Sequence, residues 1–104
     1  MKKLPNIHPG EVLLEEFLKP LDISQNKLAR AVWVPPRRIN EIDHGKRAVT
    51  ADTAIRLARA LGTSEQFWMG LQADYDLEEA RKAAQSELKK VVNIAAQYET
   101  VAAL

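Results

Sequence analysis

The sequence predicts an all-α fold, and three observations indicate it. Apolar residues recur every three or four positions along most of the chain, which is the period of a helix with one buried face. No stretch alternates β-branched and polar residues, as a half-buried strand would. Five prolines and four glycines punctuate the 104-residue chain. A chain of this length is expected to form one domain with a modest core.

The first helix is predicted to begin at Pro9, because proline suits the first helical position, where no N–H is needed. Glu11 in the first turn favours the positive end of the helix dipole. The helix should end near Lys19, ahead of Pro20. Its buried stripe is expected to contain Val12, Leu13, Phe17 and Leu18.

The second helix is predicted to start after Ser24, whose hydroxyl can accept a hydrogen bond from a free backbone N–H. Leu28, Ala29 and Val32 would form its single apolar face. Residues 34–36, with the sequence VPP, cannot continue a helix, because proline lacks an N–H and pushes its predecessor toward extended geometry.

The third helix is predicted to begin at Pro36 and to end near His44, where Gly45 can take the left-handed conformation that terminates a helix. Ile39 and Ile42 would face the core. Two short helices with this spacing are typical of a helix-turn-helix that reads DNA. The exposed face of the third helix would carry side chains able to meet phosphates and base edges: Arg37, Arg38, Asn40 and Glu41.

Two further helices follow in the pattern. Thr50 is predicted to cap the fourth helix, and Gly62 to end it. The cap of the fifth helix is Thr63 or Ser64, and with Thr63 as the cap Gln66 would complete a capping box. The expected core residues of the fourth helix are Ile55, Leu57, Ala58 and Leu61, and the bulky residues of the fifth are Phe67, Trp68, Met69, Leu71, Tyr75 and Leu77.

Residues 77–104 are rich in alanine, glutamate, lysine and leucine, with apolar residues roughly every third or fourth position. This pattern predicts a further helix or a long extension of the fifth. We therefore expect a helix-turn-helix DNA-binding domain in residues 1–76 and a helical C-terminal extension in residues 77–104.

The charge is divided along the chain, although the net formal charge is only +1. Residues 27–59 contain eight Lys or Arg against three Asp or Glu, whereas residues 60–104 contain four against seven. A basic middle suits contact with a polyanion, and the acidic end suits a different task.

Several functional classes fit the sequence poorly. The chain has no cysteine, and His8 and His44 lie far apart, so we expect no metal site and no cofactor. It has no glycine-rich phosphate loop, and the neighbouring Glu15 and Glu16 diverge on a helix, so we expect no catalytic residues and no enzyme activity. No apolar run follows the first residues, so we expect a cytoplasmic protein without a membrane contact.

An ordered series of motifs across residues 8–68 resembles the HigA family of antitoxins, also known as virulence-associated protein I, within the lambda-repressor-like or XRE group. The motifs include His8-Pro9-Gly10-Glu11, Glu15-Glu16-Phe17-Leu18, Ile23-Ser24-Gln25, Leu28-Ala29-Arg30, Val34-Pro35, Arg38-Ile39, Glu41-Ile42, Gly45-Lys46-Arg47, Thr50-Ala51-Asp52-Thr53, Leu61-Gly62-Thr63 and Phe67-Trp68.

The resemblance implies a five-helix lambda-repressor-like domain that binds a palindromic operator in double-stranded DNA as a homodimer. It also implies a HigB-like partner toxin that cleaves mRNA, and an antitoxin that neutralises this toxin and represses its own operon. Two alternatives remain open at this point. One is a stand-alone XRE-type transcriptional regulator without a toxin, and the other is a protein-interaction module that uses the fold as a scaffold.

Position by position, the resemblance implies that Gln25 bonds a phosphate and that Arg37 reads a base, since a guanidinium can contact guanine O6 and N7 together. Arg38 would read a base or hold a phosphate, and Asn40 is a candidate for adenine. Glu41 either contacts a cytosine edge or forms a salt bridge with Arg37 or Arg38. Lys46 and Arg47 are candidate phosphate contacts, with a solvated charged loop as the alternative.

Other residues have two interpretations. Phe67, Trp68 and Tyr75 belong either to the core or to a dimer or toxin interface. Trp33 stands in the turn, where the family usually has glycine. Either the turn differs here, or the chain tolerates a tryptophan at positive φ at a cost of about 1 to 3 kcal/mol. Its ring would pack locally or contact the DNA backbone.

Overall fold

A computed structural model describes residues 5–98 of the chain and contains only helices and loops in that range. Helix α1 is an α-helical turn, Pro9–Val12, followed by π-helical Leu13–Leu18. The next three are α2 (Gln25–Val32), α3 (Pro36–Asp43) and α4 (Ala51–Leu61). The last three are α5 (Glu65–Ala83), α6 (Gln85–Leu88) and a 3₁₀ turn, Ile94–Gln97. The all-α prediction is confirmed.

The core lies where α1 to α5 meet, with α2 packed on α3 and α4 packed along α5. The helical faces predicted from the sequence supply most of it. Leu14, Phe17, Ile23, Leu61 and Leu71 pack partly buried around its edge. The buried hydrophobic residues are Leu13, Leu18, Leu28, Ala29, Val32, Val34, Ile39, Ile42, Val49, Ala54, Leu57, Ala58 and Trp68.

Local hydrogen bonds begin and end these helices largely where the sequence predicts. The hydroxyl of Ser24 accepts from the Lys27 N–H at 3.0 Å, and that of Thr50 accepts from the Thr53 N–H at 3.4 Å. Gly45 and Gly62, at the two predicted helix ends, both have φ of +72°. Each is in the left-handed region that a side chain disfavours.

The start of α5 decides between the two predicted caps. Ser64 Oγ accepts from the Phe67 N–H at 3.0 Å, so Ser64 is the cap. The capping box built on Thr63 is therefore wrong. Thr63 Oγ1 accepts a 2.7 Å hydrogen bond from the indole Nε1 of Trp68 instead, which satisfies the polar atom of a buried ring.

A close backbone crossing joins α1 to α3. Gly10 is buried, and a Cβ built on it would overlap the carbonyl oxygen of Ile42 and lie 2.5 Å from its carbonyl carbon. His8 caps the helix just before this point, its Nδ1 accepting from the Gly10 N–H at 2.9 Å. The absence of a side chain at Gly10 thus lets α1 lie directly on the end of α3.

Helix α5 continues unbroken through residues 76 and 77, and α6 follows it directly. For the residues after 77, the sequence predicted either an extension of the fifth helix or a further helix. The structure shows both, because α5 extends to Ala83 and the short helix α6 follows it. The division into residues 1–76 and 77–104 remains a prediction. Between α5 and residue 98, five large apolar side chains are exposed: Leu88, Val91, Val92, Ile94 and Tyr98.

Gln72 on α5 holds the loop between α3 and α4. Its side chain is buried, its Oε1 accepts from the Val49 N–H at 2.7 Å, and its Nε2 donates to Asp76 at 2.9 Å. The loop that carries Lys46 and Arg47 is therefore anchored at its far end to the longest helix. Within residues 5–98, none of the helices combines the length and apolarity needed to cross a bilayer.

Candidate nucleic-acid interface

The turn between α2 and α3 is built around Trp33, which has φ of 61° and ψ of 49°. The structure thus resolves the two alternatives for this turn: the left-handed conformation is retained and a tryptophan occupies it. Backbone bonds close the turn, with the Val34 N–H donating to the Ala29 carbonyl at 3.0 Å. Trp33 is 87% exposed, so local packing does not account for its ring.

Arg56 on α4 ties this turn to the fourth helix. Its Nη1 donates to the carbonyl oxygens of Val32 at 2.8 Å and of Trp33 at 3.2 Å. Its Nε donates to both carboxylate oxygens of Asp52 at 3.0 Å. Nothing in the sequence indicates this contact, because it joins residues more than twenty positions apart.

Helix α3 presents one face to the core and the other to solvent. Ile39 and Ile42 are wholly buried, which fixes the rotation of the helix about its axis. Asn40 is exposed on the other side, and the Arg37 side chain is 84% exposed in the first helical turn. The N-terminal end of a reading helix is the part that reaches base edges in this class of motif.

Glu41 lies between two arginines. Its Oε2 accepts from Arg37 Nε at 3.0 Å, and its Oε1 accepts from Arg47 Nη2 at 2.7 Å. The hydrogen bonds from Arg47 and then Arg37 hold the pKa of the Glu41 carboxyl below its ordinary value. Of the two interpretations of Glu41, the structure shows the salt bridge, with Arg47 as a second partner that the sequence did not indicate.

A second acid, Asp52, lies between Arg38 and Arg56. Arg38 Nη1 donates to Asp52 Oδ2 at 2.8 Å, and the guanidinium is the less exposed of the two predicted readers on α3. Hydrogen bonds from Arg56 and then Arg38 lower the pKa of Asp52. Arg38 is therefore linked through Asp52 to the residue that holds the Trp33 turn.

A third network joins the start of α2 to the end of α3. Gln25 Nε2 donates to Asp43 Oδ2 at 2.8 Å, and Gln25 Oε1 accepts from Asn40 Nδ2 at 3.1 Å. Asp43 Oδ1 is buried and has no hydrogen-bond partner among residues 5–98. Burial raises the pKa of Asp43 to about 6, against the opposing effects of the Gln25 hydrogen bond and the nearby His44. The predicted phosphate ligand Gln25 is thus held between two residues of α3.

The loop after α3 places the remaining predicted contacts beside the same surface. The backbone N–H of Lys46 donates to the Glu41 carbonyl at 2.8 Å, and both Lys46 and Arg47 are exposed. Among residues 5–98, the Lys46 ammonium has no ion-pair partner. His44 Nδ1 lies 2.8 Å from the Asn40 carbonyl oxygen, at the helix end where a cation is favourable.

The aromatic residues of α5 separate according to burial. Trp68 is wholly buried against Phe17, with ring centroids 5.4 Å apart, so the core interpretation applies to it and no surface remains for an interface. Phe67 is 39% exposed, and Tyr75 is half-buried with its ring 4.9 Å from that of His8. An interface role for Phe67 and Tyr75 remains a prediction.

The structure therefore gathers the seven predicted contact residues on the first turn of α2, on α3 and on the loop behind it. They are Gln25, Arg37, Arg38, Asn40, Glu41, Lys46 and Arg47. Sequence reasoning missed Asp52 and Arg56 as partners of this surface. Only an i to i+4 spacing between Asp52 and Arg56 signalled their pairing, and nothing signalled the contact of either with α2 or α3.

Comparison with known proteins agrees with this geometry. A profile of the helix-turn-helix family matches residues 14–68. Virulence-associated protein I of Dichelobacter nodosus is 50% identical over 84 residues, covering 81% of this chain and 78% of that protein. Antitoxin HigA-1 of Vibrio cholerae is 39% identical over 82 residues, covering 79% and 77%. The solved Pseudomonas aeruginosa antitoxin HigA with the higBA promoter superposes with a TM-score of 0.82 at 43% identity, over 86% of this chain and 98% of that one.

Proposed function

This chain belongs to the helix-turn-helix family, in the group that contains the HigA antitoxins and virulence-associated protein I, and on that premise we propose that it is a DNA-binding antitoxin. It represses its own operon by binding a palindromic operator in double-stranded DNA. It also neutralises a HigB-like toxin that cleaves mRNA. Because its targets are an operator and a toxin that acts on mRNA, it acts in the cytoplasm, and it acts by binding and not by catalysis.

The observation that carries the DNA-binding part is the outward face of α3. Ile39 and Ile42 fix this helix against the core, so Arg37 is presented at its exposed N-terminal end. In the proposed complex α3 enters the major groove and Arg37 reads a guanine, while Asn40 lies next along the groove. Arg38 is the second basic residue of the face and is positioned through Asp52.

Phosphate contacts flank the reading helix on both sides. Gln25 lies in the first turn of α2, where backbone N–H groups and the helix dipole favour an anion, and its side chain is oriented by Asn40 and Asp43. Lys46 and Arg47 follow α3 on an anchored loop. These contacts set the position of the protein on the duplex, and the base contacts set the sequence that it prefers.

A homodimer places two reading helices in successive major grooves about 34 Å apart, which matches a palindromic site. We assign the dimer contacts to α5 and the residues after it. This part of the chain carries the exposed apolar side chains Leu77, Leu88, Val91 and Val92, and its acidic character separates it from the basic reading surface.

Two measurements test the proposal. The first is copurification with the product of the adjacent gene, because capture of a small RNase-like partner supports the antitoxin role. Operator binding without such a partner would favour a stand-alone regulator. A tight partner complex with no measurable DNA binding at low salt would favour an interaction module, and would contradict the repressor role.

The second measurement is a gel-shift titration of the DNA upstream of the gene with the Arg37→Ala protein. Loss of a bidentate base contact is expected to cost about 1 to 3 kcal/mol, or roughly 5- to 150-fold in affinity for the operator. Lys19→Ala is the matched control, since Lys19 forms the same i to i+4 ion pair with Glu15 on a different helix. If both variants bind the operator like the wild type, α3 is not the reading helix.

A further inference from the structure

Three of the four basic residues on the proposed DNA surface already have an anionic partner within the protein. Arg37 and Arg47 share Glu41, and Arg38 is bound to Asp52. Lys46 alone among these four has no ion pair within residues 5–98. The free protein therefore presents less positive charge to DNA than its arginine content suggests.

The Glu41 pair differs from the Asp52 pair in its surroundings. Asp52 also binds Arg56, which supports the Trp33 turn, so its role is coupled to the fold. Within residues 5–98, Glu41 binds only Arg37 and Arg47, whose side chains are 84% and 46% exposed, and its own side chain, 24% exposed, lies between them. In the same part of the chain, no buried backbone group bonds to this carboxylate.

Resting on the proposed function, we propose that Glu41 is a specificity-determining residue that acts as an internal substitute for a DNA phosphate. It occupies Arg37 and Arg47 when no correctly placed partner is available. A guanine edge aligned with Arg37 and a phosphate beside Arg47 can replace it, whereas a duplex that offers only phosphates competes poorly. Glu41 thus lowers the affinity for non-operator DNA more than the affinity for the operator.

The effect is electrostatic and has a defined salt signature. Each phosphate neutralised by the protein contributes about −0.9 to the slope of log K against log salt, so it is worth about threefold in affinity over a fourfold change in salt. Glu41→Gln keeps the length of the side chain and one acceptor oxygen but removes the charge. It leaves one more uncompensated positive charge on the surface of the free protein.

The test is a fluorescence-anisotropy titration of two duplexes of equal length, the DNA upstream of the gene and a scrambled sequence, between 50 and 200 mM salt. With Glu41→Gln we expect affinity for the scrambled duplex to rise at least about threefold and its salt slope to steepen by about one. Affinity for the upstream duplex should change less, so that the ratio of the upstream affinity to the scrambled affinity falls. Glu15→Gln is the control, because it breaks a similar i to i+4 pair, with Lys19 just after α1.

The outcomes separate this inference from the proposed function. If the wild-type protein binds neither duplex at low salt, the proposed function itself fails. If the wild type binds and Glu41→Gln leaves the scrambled duplex unchanged or weaker, Glu41 is not a phosphate substitute. If the affinity of Glu41→Gln rises equally for both duplexes, the inference is also overturned, since specificity would not depend on this residue. Thermal unfolding of each variant confirms that the fold is retained.

Discussion

Replacing Gly10 by alanine is expected to destabilise the protein through a single added methyl group. The new Cβ would overlap the Ile42 carbonyl oxygen, lie 2.5 Å from the carbonyl carbon and 3.0 Å from the Asp43 Cα, all of which are backbone atoms. Backbone cannot rotate away as a side chain can, so α1 and α3 must separate by roughly 1 Å or more. Wholly buried neighbours such as Leu13 would lose packing as a result.

Overpacking of this kind costs about 1 to 3 kcal/mol, and we expect the upper end, because both partners are backbone. For a domain of this size that lowers Tm by more than about 10 °C. Gly70→Ala is the control, because a Cβ at this position in α5 meets no described atom within 4 Å apart from its chain neighbours and the backbone of its own helix. There alanine should stabilise by about 0.5 to 1 kcal/mol, the difference in helix propensity.

Urea denaturation followed by circular dichroism gives the free energy of unfolding of each variant. The free energies of unfolding of the two alanine proteins should differ from each other by about 3 kcal/mol or more. Gly10→Ala should lie below the wild type and Gly70→Ala above it. If Gly10→Ala unfolds within about 0.5 kcal/mol of the wild type, the close crossing of α1 and α3 does not determine stability. Since the crossing lies at the end of α3, the same variant should also weaken operator binding.

Three further predictions concern the residues around the reading helix. The pKa of Asp43 is higher in the folded than in the unfolded chain, so its contribution to stability is present at low pH and is lost as the pH rises from about 4 through about 6. In urea denaturation, Asp43→Asn should therefore be more stable than the wild type at pH 8 by about 1 to 2 kcal/mol after allowance for solvent screening, by roughly half of that at pH 5, and no longer so at pH 3; an equal difference at all three pH values would contradict this. Lys46→Gln should weaken binding of operator and scrambled duplex by the same factor and reduce the salt slope by about one in anisotropy titrations, and a change in their ratio would show that Lys46 reads sequence. Arg56→Met should lower the free energy of unfolding by about 1 to 3 kcal/mol, because the Trp33 turn loses its donor, whereas Arg59→Met, an exposed change one turn away, should leave it within about 0.5 kcal/mol.

Much of the fold follows from signals that act within one helical turn. Ser24 and Thr50 cap their helices because each hydroxyl reaches an N–H three residues ahead, and Gly45 ends α3 because its backbone tolerates positive φ. The prediction of Thr63 as the cap of α5 was wrong because a contact between distant parts of the core replaces the local one. The Thr63 hydroxyl accepts from the indole of Trp68, a contact that exists only once that ring is buried.

The candidate site shows the same division between what local sequence signals predict and what only tertiary contacts decide. The sequence indicated Arg37 and Arg38 from the apolar spacing around them and from the resemblance to a known family. It left the partner of Glu41 undecided and gave no indication of the link from Arg38 through Asp52 to Arg56. Whether an exposed arginine is free or paired depends on how α3, its loop and α4 meet in space.

By itself, the sequence determined the all-α fold, the bounds of most helices, the position of the helix-turn-helix and the family. The fold and the helix bounds depend on periodicity, on capping and on local backbone preference, which act over four residues or fewer, whereas the family depends on the series of motifs in residues 8–68. The tertiary structure decided which acids pair with the arginines of α3 and its loop, how Gln25 is held and how a tryptophan is kept at positive φ. These contacts join residues that the chain brings together only where helices cross, and the crossing geometry is set by the packing of all the helices at once.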